Sequence, residues 1–344
     1  MKFSSLSLLL VSVTSTAAKS VRDEFAAFKK AHSVSYRSHA EHERRFTIFS
    51  QNIKENARKN AVLRAKGHNE IHGITKFSDM TVEEWRESYL GGKFTKNDFP
   101  SLNVHSGNFP VQADDSESYN LADDGFLTAV KDQGACGSCW AFSATETIET
   151  AWAMAGNGLT EFSPQQMVSC DVIGYDSGCL GGRPGSAIGY VMDTGGMATE
   201  ADYPYTSGAD GNNGDCFGFT ISGGTVSKQV YATPACPSGT YACIEDSDAL
   251  KSAIKSHGGI AISLDATAFG SYAGGIMTND SCSNDPSQLN HAVQLVGWGE
   301  ENGQDYWIVR NSWATVWGED GFVRMAMRDN TCGLANMPVI ITQV

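Results

Sequence analysis

Between residues 20 and 90, apolar side chains recur at helical spacing among dense charge. VRDEFAAFKKAHS sets Val21, Phe25 and Phe28 on one helix face. EHERRFTIFSQNIKENARKNAVLRA continues the pattern with Phe46, Ile48, Phe49, Ile53 and Val62. HGITKFSDMTVEEWRESYL turns at Gly73 and restarts a helix, with Thr81 as N-cap and Glu84 three residues on. Residues 91–118 lose the periodicity; polar and containing Gly and Pro, they read as a linker with a cleavage point. SCWAFSATETIETAWAMAG predicts a helix over 139–155, with Trp140, Ile148, Ala151, Trp152 and Met154 apolar. AIKSHGGIA ends a helix, placing His257 at its C-terminus before Gly258. QLNHAVQLVGWG is an apolar strand-like run that carries His291.

The first residues, MKFSSLSLLLVSVTSTAAKS, join a lysine to a short apolar run ending in small residues at Ala17 and Ala18. This predicts a secretory signal over residues 1–18, too short for a membrane span. No later stretch is long and apolar enough to span a bilayer. A soluble protein of the secretory pathway is expected, destined for a lysosome, a vacuole or the outside of the cell, after passage through an oxidising compartment.

Charge divides the chain. It carries 25 Lys+Arg and 39 Asp+Glu, for a net −14. Seventeen basic and 12 acidic residues precede Asp115, and from there on 8 basic residues face 27 acidic ones. A segment of +5 is thus followed by one of −19, which suggests mutual attraction; the alternative is two separately solvated surfaces. The acidic balance disfavours nucleic acid and anionic membranes as partners.

There are nine cysteines: Cys136, Cys139, Cys170, Cys179, Cys216, Cys236, Cys243, Cys282 and Cys332. In a secreted protein an odd number implies four disulfides and one free thiol. QGACGSCWAF holds two of them three apart, a spacing open to a redox pair, half a zinc site or a nucleophile beside a structural thiol. Zinc wants a second pair of ligands, and no second C-x-x-C or H-x₃₋₅-H stands near the acidic part. A redox pair wants a thioredoxin-like βαβ context, which the flanking sequence lacks. A nucleophile wants a helix N-terminus and a basic partner. Cys139 sits in the first turn of the predicted helix, and only His257 and His291 follow residue 105.

CGSCW at 136–140, His291 and NSW at 311–313 together resemble the papain-like (C1) cysteine peptidases. His291 and Asn311 lie 152 and 172 residues beyond Cys139. The segment before residue 90 resembles the propeptides of that family. Glu41, Arg45, Ile48, Phe49, Asn52 and Asn60 match its ERFNIN pattern, with Asn56 at the pattern's isoleucine. Gly73, Phe77 and Asp79 match GxNxFxD, with Thr75 in place of Asn. The resemblance implies an α+β, two-domain papain-like fold, with a helical left domain and a β-barrel-like right domain. A cathepsin L-like helical inhibitory propeptide and linker over 19–114 would precede a peptidase domain over 115–344.

It also implies roles. Cys139 is the nucleophile in a thiolate–imidazolium couple with His291, Asn311 orients the ring, and Trp313 shields that contact. Gln133 and the Cys139 N–H form the oxyanion hole. Gly181 and Gly182 pair with an extended substrate, Arg183 edges the non-primed cleft, and Asn290 stands where Asp is common. Pro184, Ala266, Leu289, Ala292 and Met337 match positions lining the S2 pocket, implying a hydrophobic or aromatic P2 preference. The implied disulfides are Cys136–Cys179, Cys170–Cys216 and Cys282–Cys332; Cys236–Cys243 has no counterpart in the family and would close a local loop. No cofactor or metal is implied. Polypeptide substrates, the chain's own propeptide and cystatin-type inhibitors are the expected partners of a monomeric endopeptidase, since no His-rich occluding loop is present. Departures from the pattern include NLA at 120–122, Leu180, and Ala314 and Val316 where glycines are usual. Asn279-Asp280-Ser281 is a glycosylation sequon. The alternative function is a catalytically silent binding or storage protein on the same fold; a disulfide oxidoreductase would require a Cys136–Cys139 bond.

Overall fold

The computed structural model describes residues 20–91, 102–106, 108–110, 118–171, 176–236 and 244–344. The expected signal peptide, most of the linker and Cys243 lie outside them. Three helices form the propeptide: α1 (Val21–Ala31), α2 (His39–Ala65) and α3 (Val82–Tyr89). Ser20 caps α1 in a capping box with Asp23, Ser38 caps α2, and Thr81 and Glu84 form the predicted box on α3. Phe25, Phe28 and Phe49 make a small aromatic core between α1 and α2. On α2 the inward residue near the C-terminus is Leu63; Val62 is exposed.

The peptidase domain is built on α4 (Cys139–Trp152), buried on every side from Cys139 to Ala151. Helices α5 (Pro164–Cys170) and α6 (Pro184–Thr194) pack beside it. Opposite lies a sheet ordered β2 (Lys228–Tyr231), β8 (Val339–Gln343), β3 (Ile260–Leu264), β5 (His291–Glu301), β6 (Gln304–Arg310), β7 (Phe322–Ala326) and β4 (Ile276–Met277). Its neighbours are antiparallel except β4–β7, and β1 (Tyr119–Asn120) pairs with β5 outside that path. Helix α7 (Ser247–His257) leads into β3 and ends at His257 with Gly258 as C-cap, as its sequence predicts. One apolar core fills the sheet half and takes in Ile71, Phe77, Trp85 and Leu90 of the propeptide; a second lies between α4–α6 and the sheet, and Cys139 belongs to the second. The site therefore sits on the seam between a helical and a β half. No helix among the described residues is long and apolar enough to cross a membrane.

Candidate active site

The helical wall of the seam carries the thiol. Cys139 is the first residue of α4, is 2% exposed and is the free cysteine of the described residues. At that position the helix dipole favours negative charge on sulfur. The loop before it is braced by the Cys136–Cys179 disulfide and by the Gly137 N–H donating to the Cys179 carbonyl at 3.0 Å. Gly182 belongs to the same wall. A Cβ there would lie 2.5 Å from both Trp140 and Asp176 Oδ1, so only glycine allows the approach.

The β wall carries the base. His291 opens β5, and the β5–β6 register brings it alongside the chain just beyond Arg310. There Asn311 Oδ1 lies 2.8 Å from His291 Nε2, and the Trp313 indole covers the imidazole at 4.7 Å between ring centres. Nδ1, the other ring nitrogen, is buried without a partner. The backbone amide of Ala292, next to His291, favours negative charge on Cys139 Sγ. Gln133 is held against the same loop. Its N–H donates to the Ser312 carbonyl, and its Oε1 accepts from Ser312 Oγ at 2.7 Å and Trp313 Nε1 at 3.0 Å. The Gln133 Nε2 amide donates one N–H to Cys136 O at 2.8 Å, which leaves its second N–H for the cleft.

The propeptide covers this arrangement. The Tyr89 carbonyl accepts from Gln133 Nε2 at 3.0 Å. Two residues on, Gly91 lies against the nucleophile: a Cβ there would lie 2.8 Å from Cys139 Sγ. Phe77, Trp85 and Tyr89 pack edge-on around Trp313 at 5.2, 6.0 and 6.1 Å. Charge-free contacts thus close the site itself. Burial pushes Cys139 up to about 11 and His291 down to about 4, the latter against the pull of its Asn311 hydrogen bond. Desolvation thus works against charge on either group while the propeptide covers them, and the expected thiolate–imidazolium couple is a proposal for the opened cleft.

The two departures in the propeptide pattern have partners. Asn56 donates to the Gly73 carbonyl at 2.8 Å, and Thr75 Oγ1 donates to Gly270 O of the peptidase domain at 2.6 Å. Arg183, Pro184 and Met337 line one small cavity, together with Gly185, Tyr231, Ser263 and Val339. Leu289 and Ala292 lie in the same apolar cluster as Met337. Ala266 does not: it belongs to the sheet-side core, and its amide is bound by Asn290 Oδ1 at 2.9 Å. Asn290 also donates to Asp265, which turns it toward the β3 loop. Gly181 has φ +119° and stands at the cleft edge near Gly91.

The disulfides Cys136–Cys179, Cys170–Cys216 and Cys282–Cys332 are present. Cys236 is disulfide-bonded, and its expected partner Cys243 lies outside the described residues. The sequon residue Asn279 uses both ends of its amide, donating to Asp329 O at 2.7 Å and accepting from Cys332 N at 3.0 Å, so a glycan on Nδ2 would cost the first of these bonds. Sequence reasoning missed Tyr89 and Gly91 at the nucleophile and Tyr231 and Ser263 in the cavity. The Gly91-Gly92 pair was the available signal for the first; long-range strand pairing leaves none for the second.

A thiol at a helix start, faced by an asparagine-held imidazole and roofed by a preceding helical segment, defines the precursor of a cysteine peptidase. The comparisons agree. Residues 115–342 match the family described as papain family cysteine protease, and residues 25–85 match the cathepsin propeptide inhibitor domain (I29). The chain belongs to the papain family. It is 38% identical over 321 residues to a cysteine proteinase of Trypanosoma brucei brucei, covering 91% of this chain and 65% of that protein. It is 35% identical to cysteine proteinase A of Leishmania mexicana, covering 92% and 84%. Digestive procathepsin L 3 of Tenebrio molitor larval midgut superposes with a TM-score of 0.75 at 33% identity, over 94% of this chain and 99% of that one. The recombinant stem bromelain precursor gives 0.74 at 30% identity, with the same coverage. The papain-like fold, the zymogen form and the propeptide as intramolecular inhibitor follow. Such proproteases are typically secretory.

Proposed function

We propose that the chain is the zymogen of a cysteine endopeptidase, with residues 19–114 as propeptide and linker and 115–344 as the enzyme. The observation that carries this is the Tyr89 carbonyl on Gln133 Nε2, directly beside Cys139: a peptide carbonyl already occupies the place where a substrate oxyanion would be stabilised. With the propeptide gone, His291 Nδ1 takes the Cys139 proton and sulfur attacks the scissile carbonyl carbon. Negative charge then develops on the oxygen held by Gln133 Nε2 and the Cys139 N–H. The imidazolium protonates the leaving amine, and water releases the acyl-enzyme with the same base. Asn311 holds the ring in the required tautomer, and Trp313 keeps water from that bond.

Pro184, Met337 and Val339 give the cavity beside the cleft an apolar wall. A hydrophobic or aromatic P2 side chain is the proposed preference. In a panel of P2-varied fluorogenic peptides, Leu or Phe should exceed Arg; preference for Arg would overturn the assignment. Maturation is proposed at about pH 4 to 5.5 in a lysosome, vacuole or extracellular space, for a monomer open to cystatin-type inhibitors.

The direct test is labelling of the acid-matured protein by an epoxysuccinyl inhibitor. One equivalent should be incorporated per chain, with none in Cys139→Ala, and hydrolysis should fall by at least about 10³-fold in that variant. A stable mature protein that takes no label would favour the catalytically silent alternative.

A further inference from the structure

Far from the nucleophile, the propeptide is held by a second contact of different chemistry. Residues 71–73 pair as an antiparallel bridge with 271–273: Gly73 N–H donates to Ser271 O and Ala273 N–H to Ile71 O, both at 2.8 Å. His72 is the centre of that bridge and is 8% exposed. Its Nδ1 lies 2.8 Å from Ser271 Oγ, and its backbone is gripped by both ends of the Asn60 amide, at 3.0 and 2.7 Å.

The charges facing this ring are unfavourable to an imidazolium. On one side, Arg58 and Lys59 of α2 and Asp280 of the peptidase domain line the same cavity as His72. On the other, Glu24 of α1, Arg64 of α2 and the nearby Glu70 do so. Most of these carboxylates already have partners: Glu55 pairs with Arg58, Glu70 with Arg64, and Asp280 with Lys66 and His68. A proton on His72 would gain Lys59 as a like-charged neighbour, with only the weaker, committed Glu55 in its favour.

We propose that His72 is the acid trigger of propeptide release: neutral, it locks the 71–73 bridge onto the peptidase domain, and protonated, it cannot stay there. This rests on the acid-activated zymogen reading given above. Burial, then Lys59, lowers the docked His72 to about 4 from an ordinary 6.5. The sign follows from linkage. A released His72 binds a proton below about pH 6.5 while the docked one does not until about pH 4, so docking weakens steadily across that interval. At pH 4.5 the loss is on the order of 100-fold in the docking constant.

The experiment uses the full chain carrying Cys139→Ala, which cannot process itself. Hydrogen exchange of the peptides containing Gly73 and Ala273, corrected for intrinsic rate, reports opening of the bridge from pH 7.5 to 4.5. Opening should rise on the order of 100-fold in this chain and less than about 10-fold with His72→Gln added. Should His72→Gln prove undocked already at pH 7.5, Lys59→Met is the second variant; by removing the facing cation it should move the opening to lower pH. A response to acid unchanged in His72→Gln, or in Lys59→Met where that variant is needed, overturns the assignment of His72 and leaves acid activation standing. A bridge that does not open in acid at all overturns both.

Discussion

The propeptide interface and the centre of the peptidase domain bury ionisable groups of opposite kinds, and acid acts on them in opposite senses. At the interface His72 is neutral and resists gaining charge. In α4, Glu146 is 1% exposed, with Oε1 lacking a hydrogen bond and 3.5 Å from Arg310 Nε. Burial pushes it up to about 7, against the pull of Arg310 and Lys131. Folded-state affinity for a proton above the unfolded value means stability that is fully present below about pH 4.5 and lost as pH rises through about 7. The packing differs in the same direction. The propeptide has one small aromatic core of its own and otherwise buries Ile71, Phe77, Trp85 and Leu90 against the sheet-side core, whereas the peptidase domain has two extended cores and the three described disulfides. On the proposed acid release, the propeptide would let go under the conditions that tighten the peptidase domain.

The largest effect should come from removing the apolar half of the propeptide's hold. Trp85 is 4% exposed, lies edge-on to Trp313 at 6.0 Å and covers Gly270. Truncation of a buried Trp costs about 3–5 kcal/mol. In the otherwise native chain, Trp85→Ala should raise peptidase activity at pH 7.5, without acid treatment, by at least about 100-fold. Latency equal to the parent's would mean that the main-chain contacts at Tyr89 and Gly91 suffice by themselves, and the contrast between a titratable and an apolar hold would lose its meaning.

The next effect sharpens the acid contrast inside the enzyme. Glu146→Gln imitates the protonated carboxyl at every pH. The Cys139→Ala chain should lose up to about 3 kcal/mol of peptidase-domain stability between pH 4.5 and 7.5, and adding Glu146→Gln should flatten that slope. Arg310 keeps its bonds to Thr128 O at 2.9 Å and Thr128 Oγ1 at 3.0 Å, so the substitution does not strand the guanidinium. Denaturant unfolding at the two pH values decides; an equal slope in both proteins would place the titrating group elsewhere.

Local signals were readable wherever local physics decides. The Thr81–Glu84 box, the end of α7 at His257 and the inward face of Phe25 and Phe28 follow from capping and periodicity. Cys139, His291 and Asn311 were nameable only through motif resemblance, because nothing in their neighbourhoods says that a β5–β6 pairing and an α4 start will meet. Ala266 shows the limit. It sits two residues beyond β3, where side-chain direction depends on how the chain leaves the strand, and it turned into the sheet core. The linker shows another. Read as aperiodic, it nonetheless pairs Val104 with Tyr231 and buries Phe109 against His105 and His257, through contacts with a sheet edge that sequence alone does not reveal.

The smallest effect concerns a single backbone position in the loop beyond Asn311, which belongs to the enzyme and not to its inhibitor. Ala314 has φ +60°, a left-handed conformation in which a Cβ is strained. Its amide donates to Lys131 O at 2.9 Å and its carbonyl accepts from Trp317, so the loop holds the strain in place. Ala314→Gly should relieve about 1 kcal/mol of it, in part offset by the greater freedom of glycine in the unfolded chain. A net gain of a few tenths of a kcal/mol in unfolding free energy is expected, equal at pH 4.5 and 7.5 because no charge is involved. Propeptide release should not change, since Trp313 keeps its aromatic partners. A loss of stability would mean that the alanine methyl makes a packing contact worth more than the strain, and the loop would then count among the well-packed parts of the domain.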